Sequence, residues 1–135
     1  MLITGVDIVE IPRIRRIIEE YGDRFIYRIY TEGEIVFCRG RPAQFARRFA
    51  AKEAVMKALG TGTRGIRWRD IEIVRKKNVV PLIKLHCTAR VRAEQLGVEE
   101  LALSLSDTDK YAVATVVGES KTGNFRPLLD NNSFA

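Results

Sequence analysis

Residues 42–59, Pro-Ala-Gln-Phe-Ala-Arg-Arg-Phe-Ala-Ala-Lys-Glu-Ala-Val-Met-Lys-Ala-Leu, constrain what this chain can fold into more than any other stretch. The run is rich in alanine and free of internal glycine. Pro42 suits a first helical turn because its missing N–H needs no partner there. Gly60 follows at once and predicts a left-handed cap that closes a long helix. A helix of this kind needs an apolar surface to pack on, and the remaining sequence offers strands. Residues 2–9 read as a buried strand, because Ile3, Val6, Ile8 and Val9 are β-formers and Gly5 breaks a helical reading. Residues 71–74 and 81–85 read as two strands joined by the polar turn Lys76-Lys77-Asn78. Residues 101–105 and 111–117 read as two more, joined by Ser106-Asp107-Thr108-Asp109-Lys110. Pro12 with Ile14, Ile17 and Ile18 predicts a helix that stops at Gly22. Thr31 with Glu34 forms a capping box that opens a short helix through about Cys38, and residues 88–96 form another that ends at Gly97. The expected fold class is α+β, a mostly antiparallel sheet packed against the long central helix.

At 135 residues the chain has the size of one domain, placed at 1–118. After Gly118 the composition turns polar, with Asn131, Asn132 and Ser133, so residues 119–135 are expected to form a flexible tail. No apolar run approaches the roughly 18 residues that cross a bilayer, and Met1-Leu2-Ile3-Thr4 is not the start of a signal peptide. The expectation is a cytoplasmic protein with no membrane association. Cys38 and Cys87 fit neither a metal pair nor a disulfide framework and are expected to be buried free thiols. The net charge of +6 points to an anionic partner: a nucleic acid, a phosphorylated small molecule or an acidic protein. The basic residues are spread through several segments and no aromatic platform accompanies them, which argues against nucleic acid.

Two positions stand out chemically. Asp7 lies inside an apolar strand, where an unpaired carboxylate costs several kcal/mol, so it is exposed at an edge, hydrogen-bonded or bound to a cation. A structural role, such as capping the Pro12 helix or pairing with an arginine, is the ordinary alternative. On the long helix Phe49, Glu53 and Lys57 recur every four residues and share a face, with Arg48 and Lys52 on the adjacent stripe. Glu53 and Lys57 also read as a common surface ion pair. Against that, Ala50, Ala51 and Ala54 are small enough to let another segment or a ligand approach the helix closely. Gly60-Thr61-Gly62 can offer backbone N–H groups to phosphate, or serve only as a helix cap. One or two carboxylates near cations suit Mg²⁺, which takes few protein ligands when a phosphate completes its shell. His86, at the end of a predicted strand, reads as structural.

Gly5-Val6-Asp7-Ile8-Val9-Glu10 with Arg13-Ile14, and Arg47-Arg48-Phe49-Ala50-Ala51-Lys52-Glu53-Ala54 with Lys57-Ala58-Leu59-Gly60-Thr61-Gly62, closely resemble the holo-acyl-carrier-protein synthase family of phosphopantetheinyl transferases. The similarity continues through Asp70-Ile71-Glu72-Ile73, Leu96-Gly97-Val98, Ser104-Leu105-Ser106 and Tyr111-Ala112-Val113-Ala114, nearly everything except the tail. The resemblance implies the phosphopantetheinyl transferase fold and transfer of 4′-phosphopantetheine from coenzyme A to a serine of apo acyl carrier protein, releasing 3′,5′-ADP, in fatty-acid synthesis. It implies Mg²⁺ held by Asp7 and Glu53, with Glu53 helping to remove the serine proton and Lys57 stabilising phosphate charge. It places Arg48, Lys57, Gly60, Gly62, Ser106 and Thr108 along the coenzyme site, and Arg13 and Arg24 where the acidic carrier docks. It also implies a homotrimer with coenzyme sites between subunits. One position departs from the family's common Ser-x-Ser-His-Thr: Asp107 stands where histidine is usual, an anion near the nucleotide. That change motivates an alternative, a non-catalytic module of the same fold that binds coenzyme A or the carrier protein.

Overall fold

A computed structural model describes residues 1–62, 64–75 and 80–122. The expected α+β architecture stands, but its strands are divided between two antiparallel sheets. β1 (Leu2–Glu10), β4 (Leu101–Asp107) and β5 (Tyr111–Glu119) form one, in the order β1-β5-β4. β2 (Ile71–Val74) and β3 (Leu82–Leu85) form the other. The helices among the described residues are α1 (Ile11–Tyr21), α2 (Asp23–Ile29), α3 (Glu32–Cys38), α4 (Pro42–Ala58) and α5 (Cys87–Leu96), with a 3-10 turn at Trp68–Asp70. α4 packs against the inner face of the β1-β5-β4 sheet. The Lys76-Lys77-Asn78 turn falls outside the described residues, as do residues 123–135 of the expected tail. α2 was not foreseen: it is too short to show a period, and a glycine turn at Gly22 (φ +54°) separates it from α1.

β1 is not buried on both sides. Ile3, Gly5, Asp7 and Val9 face α4, whereas Val6 and Ile8 are 56% and 61% exposed on the outer face. Alternation is what a strand shows when one side of its sheet packs on a helix and the other meets solvent. The alanines of α4 seat this strand. A Cβ on Gly5 would overlap the Ala54 carbonyl oxygen and stand 2.9 Å from the Ala58 nitrogen, so only glycine permits the approach.

α4 ends as its sequence predicts. Gly60 takes φ +72°, its N–H donates to Lys57 O at 3.0 Å, and the Thr61 N–H donates to Met56 O at 3.0 Å. These two bonds make a Schellman cap. The capping box at Thr31 and Glu34 is also present, and Glu34 does more than cap. Its Oε1 lies 2.7 Å from Lys52 Nζ, and both side chains are fully buried. Lys52 also donates to the Trp68 and Ile71 carbonyls, while Glu34 Oε2 accepts from Ile73 N. An ion pair in the core holds only with every donor and acceptor engaged, and this one ties α3, α4, β2 and the 3-10 turn together.

The chain stays packed past residue 118. Ser120 is buried, donates its hydroxyl to Leu96 O and its N–H to Met1 O at 2.8 Å. Cys38 is buried as expected, and burial pushes its thiol up to about 11. Cys87 is exposed, contrary to expectation, because it opens α5 at the surface directly after the capping residue His86.

Candidate functional site

The close seating of β1 on α4 joins residues that lie far apart in sequence. Asp7 is 9% exposed, and its Oδ1 accepts from Lys57 Nζ at 3.1 Å. Lys57 Nζ also donates to the Val6 carbonyl at 2.9 Å. Asp7 Oδ2 is buried, and no nitrogen or hydroxyl donor among the described residues reaches it. Asp7 therefore does not cap α1, whose N-terminus has no side-chain cap, and its cation is a lysine rather than an arginine.

Glu53, half-buried one turn before Lys57, faces Asp7. Its carboxyl is pushed up to about 7, first by burial and then by the charge and hydrogen bonding of Asp7, with Lys57 and Arg13 acting in the opposite direction. Two close carboxylates resist simultaneous ionisation unless a cation joins them. An orphaned buried carboxylate oxygen beside a second carboxylate fits a hard divalent ion that takes few protein ligands. Among the described residues no group of three or more His, Cys, Asp or Glu forms such a site.

Arg13 and Arg24 share one groove of about 440 Å³ between α1 and α2, floored by Phe25, Phe49 and Trp68. Phe49 and Trp68 stack with centroids 4.9 Å apart at 19°. Trp68 and Arg28 were missed in the sequence. Arg28 follows Arg24 by four residues, the spacing that puts both on one helix face, and Trp68 is the chain's single tryptophan.

Apart from Gly60, whose N–H donates to the Lys57 carbonyl, the remaining candidates share no hydrogen bond with Asp7, Glu53 or Lys57 among the described residues. Arg48 is 2% exposed; its guanidinium sits 4.2 Å over the Phe37 ring, Nη1 donates to Gln44, and Nε is buried without a partner. Burial holds its pKa below the usual arginine value. Five residues along a helix correspond to about 140° of rotation, which turns Arg48 well away from Glu53. Ser106 pairs with Val113, in register with Ile8, and so lies on the outer face of the sheet, opposite the face that carries Asp7. Thr108 closes the β4–β5 hairpin, its hydroxyl accepting from the Lys110 and Tyr111 N–H groups. Gly60 and Thr61 spend their N–H groups on the helix cap, and Gly62 takes φ +55° in the loop beyond.

Asp107 is not an unpaired anion. Arg47 Nη2 lies 2.6 Å from its Oδ2, joining α4 to the end of β4. His86 Nε2 lies 3.0 Å from Glu72 Oε1, and Thr31 donates to Glu72 Oε2, in keeping with a structural role.

The sequence model of the 4′-phosphopantetheinyl transferase superfamily matches residues 3–116. A holo-(acyl-carrier-protein) synthase of Solibacter usitatus is 49% identical over 121 residues, covering 87% of this chain and 97% of the relative. The crystal structure of the Helicobacter pylori holo-(acyl-carrier-protein) synthase in complex with coenzyme A superimposes with a TM-score of 0.78 at 32% identity, covering 86% of this chain and 99% of that one. The Neisseria meningitidis enzyme superimposes with a TM-score of 0.80 at 36% identity, covering 87% and 97%.

Proposed function

The chain belongs to the 4′-phosphopantetheinyl transferase superfamily, and we propose that it moves 4′-phosphopantetheine from coenzyme A to a serine of apo acyl carrier protein, using Mg²⁺ held by Asp7 and Glu53. The observation that carries this reading is the Asp7 carboxylate beside Glu53, with its Oδ2 buried and reached by no nitrogen or hydroxyl donor, and Lys57 alongside. A buried carboxylate oxygen without a donor is a stability cost; a proton shared with Glu53 relieves it in part, and a cation relieves it with both carboxylates ionised.

The bound ion would offset negative charge on the coenzyme pyrophosphate. The serine hydroxyl attacks the β-phosphate, the bond to the nucleotide breaks, and 3′,5′-ADP leaves with the α-phosphate. Glu53 accepts the serine proton, directly or through a water, from a carboxylate that a bound cation would keep ionised at neutral pH. Lys57, anchored on Val6 O and Asp7 but with 53% of its side chain exposed, supplies positive charge to the phosphates. Arg13 and Arg24 attract the acidic carrier to the groove beside Phe49 and Trp68.

We assign the nucleotide end to Arg48, Gly60, Gly62, Ser106 and Thr108. Because Ser106 lies on the outer sheet face, it would reach a coenzyme bound near Asp7 from a neighbouring chain. The exposed Leu2, Val6, Ile8 and Val117 on that face suit burial against further copies, which supports a homotrimer with sites between subunits. No described helix is long and apolar enough to cross a membrane. The proposed setting is the cytoplasm, with fatty-acid carrier proteins as substrates. The non-catalytic alternative rested on Asp107, and its pairing with Arg47 removes the unpaired anion that motivated it.

Intact-mass spectrometry tests the proposal. A bacterial apo acyl carrier protein incubated with this protein, coenzyme A and Mg²⁺ gains one phosphopantetheine arm, and EDTA abolishes the gain. Binding of coenzyme A with no mass gain on several carriers would overturn it.

A further inference from the structure

A cleft of about 980 Å³ opens where the α2–α3 junction meets the 3-10 turn and the start of α5. It is separate from the Asp7–Glu53 pair. Arg28 and Trp68 line both this cleft and the α1–α2 groove, so the two depressions adjoin at these residues.

The charges of the cleft are arranged asymmetrically. Its two inner carboxylates are already engaged. Asp70 accepts from Arg67 Nε at 3.2 Å and from the Thr88 N–H and hydroxyl, and Glu72 is held between His86 and Thr31. Glu32 lines the rim from the first turn of α3. Arg28 and Arg69 are exposed, and among the described residues no carboxylate pairs with either. Outward-facing charge on this side of Trp68 is therefore mainly cationic, the same sign as Arg13 and Arg24 on the other side.

We propose that this cleft is a second contact for the acidic carrier protein, with Arg69 and Arg28 receiving its carboxylates while Arg13 and Arg24 hold it in the groove. The inference rests on the carrier-docking part of the proposed function. Its warrant is continuity across Trp68 together with complementary charge, which acts on encounter rate and specificity more than on chemistry. Glu32 opposes the same partner and sets the sign of a second test.

Steady-state transfer with a bacterial apo acyl carrier protein, coenzyme A and Mg²⁺ separates the possibilities. Arg69→Glu raises KM for the carrier about fivefold at low salt, an effect of the size exposed charges reach, and the increase shrinks at high salt. Glu32→Gln lowers that KM. In both variants KM for coenzyme A and kcat at saturating carrier stay at the parent values, a split that general destabilisation would not produce. Arg24→Glu serves as the reference. If Arg24→Glu raises KM for the carrier and Arg69→Glu does not, the cleft plays no part and the inference is overturned. If neither does, the docking reading itself fails. A rise with Arg69→Glu alone would put the carrier in the cleft without the groove and overturn the continuous surface.

Discussion

Lys57 Nζ holds Asp7 by one oxygen only: Oδ1 accepts at 3.1 Å, while Oδ2 stays buried with no nitrogen or hydroxyl donor, on a carboxylate that interacts with Glu53. Functional sites often keep an arrangement that stability alone would not select. We predict that Asp7→Asn melts at or above the parent temperature in EDTA, because it removes the repulsion between the two carboxylates and loses only a half-exposed lysine pair. The same variant, and Glu53→Ala, lose transfer by about a hundredfold or more, the scale of removing a metal ligand or principal electrostatic group. Parent-level transfer in either would sink the metal assignment; calorimetry and the mass assay read the two effects.

Gly5 sets the distance between the two halves of the site. Gly5→Ala drives a methyl group into the Ala54 carbonyl, so β1 must lift from α4. The expected loss is about 3 kcal/mol, typical of overpacking against backbone, visible as a lower urea midpoint. Surviving folded protein should transfer poorly, since Asp7 rides on the displaced strand. An unchanged midpoint would contradict the close packing.

The pH dependence of stability follows from Glu53. Its carboxyl titrates near 7 when folded against an ordinary value of 4.5. Between those values the folded state holds the extra proton, so without metal the Glu53 contribution to stability falls as pH rises from 4.5 to about 7. Melting in EDTA across that range should show the decline, and Glu53→Gln should flatten it. Mg²⁺ prefers the ionised pair, so its stabilising effect should grow over the same interval. A Glu53→Gln profile that matches the parent would refute the assignment.

Asp107 and Arg47 form a partly exposed pair and contribute little to stability, about 0.2–1 kcal/mol. Their effect should be on the coenzyme. Asp107→Asn releases Arg47 and removes an anion, so coenzyme A affinity by titration calorimetry should rise about two- to fivefold at low salt. Weaker binding would mean that Asp107 itself helps to hold the ligand.

Much of the fold was legible because its signals are local. The Thr31–Glu34 box, Pro42 at the helix start and Gly60 in the left-handed cap each depend on residues a few positions apart, and each appears where the spacing put it. The boundaries of β4 and β5 were read too short, since Asp107 and Glu119 extend the strands through pairing with Ala112 and Leu2 rather than through propensity. Lys52 was placed on a helix stripe, but its buried partner Glu34 was read only as a cap, because nothing local announces an ion pair formed across two elements.

By itself the sequence marked the helices and strands other than α2, marked Asp7 as a carboxylate out of place, and put Glu53 and Lys57 on one helix face. The family resemblance supplied the pairing of Asp7 with Glu53. Tertiary structure alone decided that Gly5 would lie against Ala54 and deliver Asp7 to Lys57, that Arg47 would neutralise Asp107, and that Ser106 would face away from the carboxylates. Propensity, capping and periodicity act over a few residues, whereas which faces meet is set by strand register and by the space between packed elements.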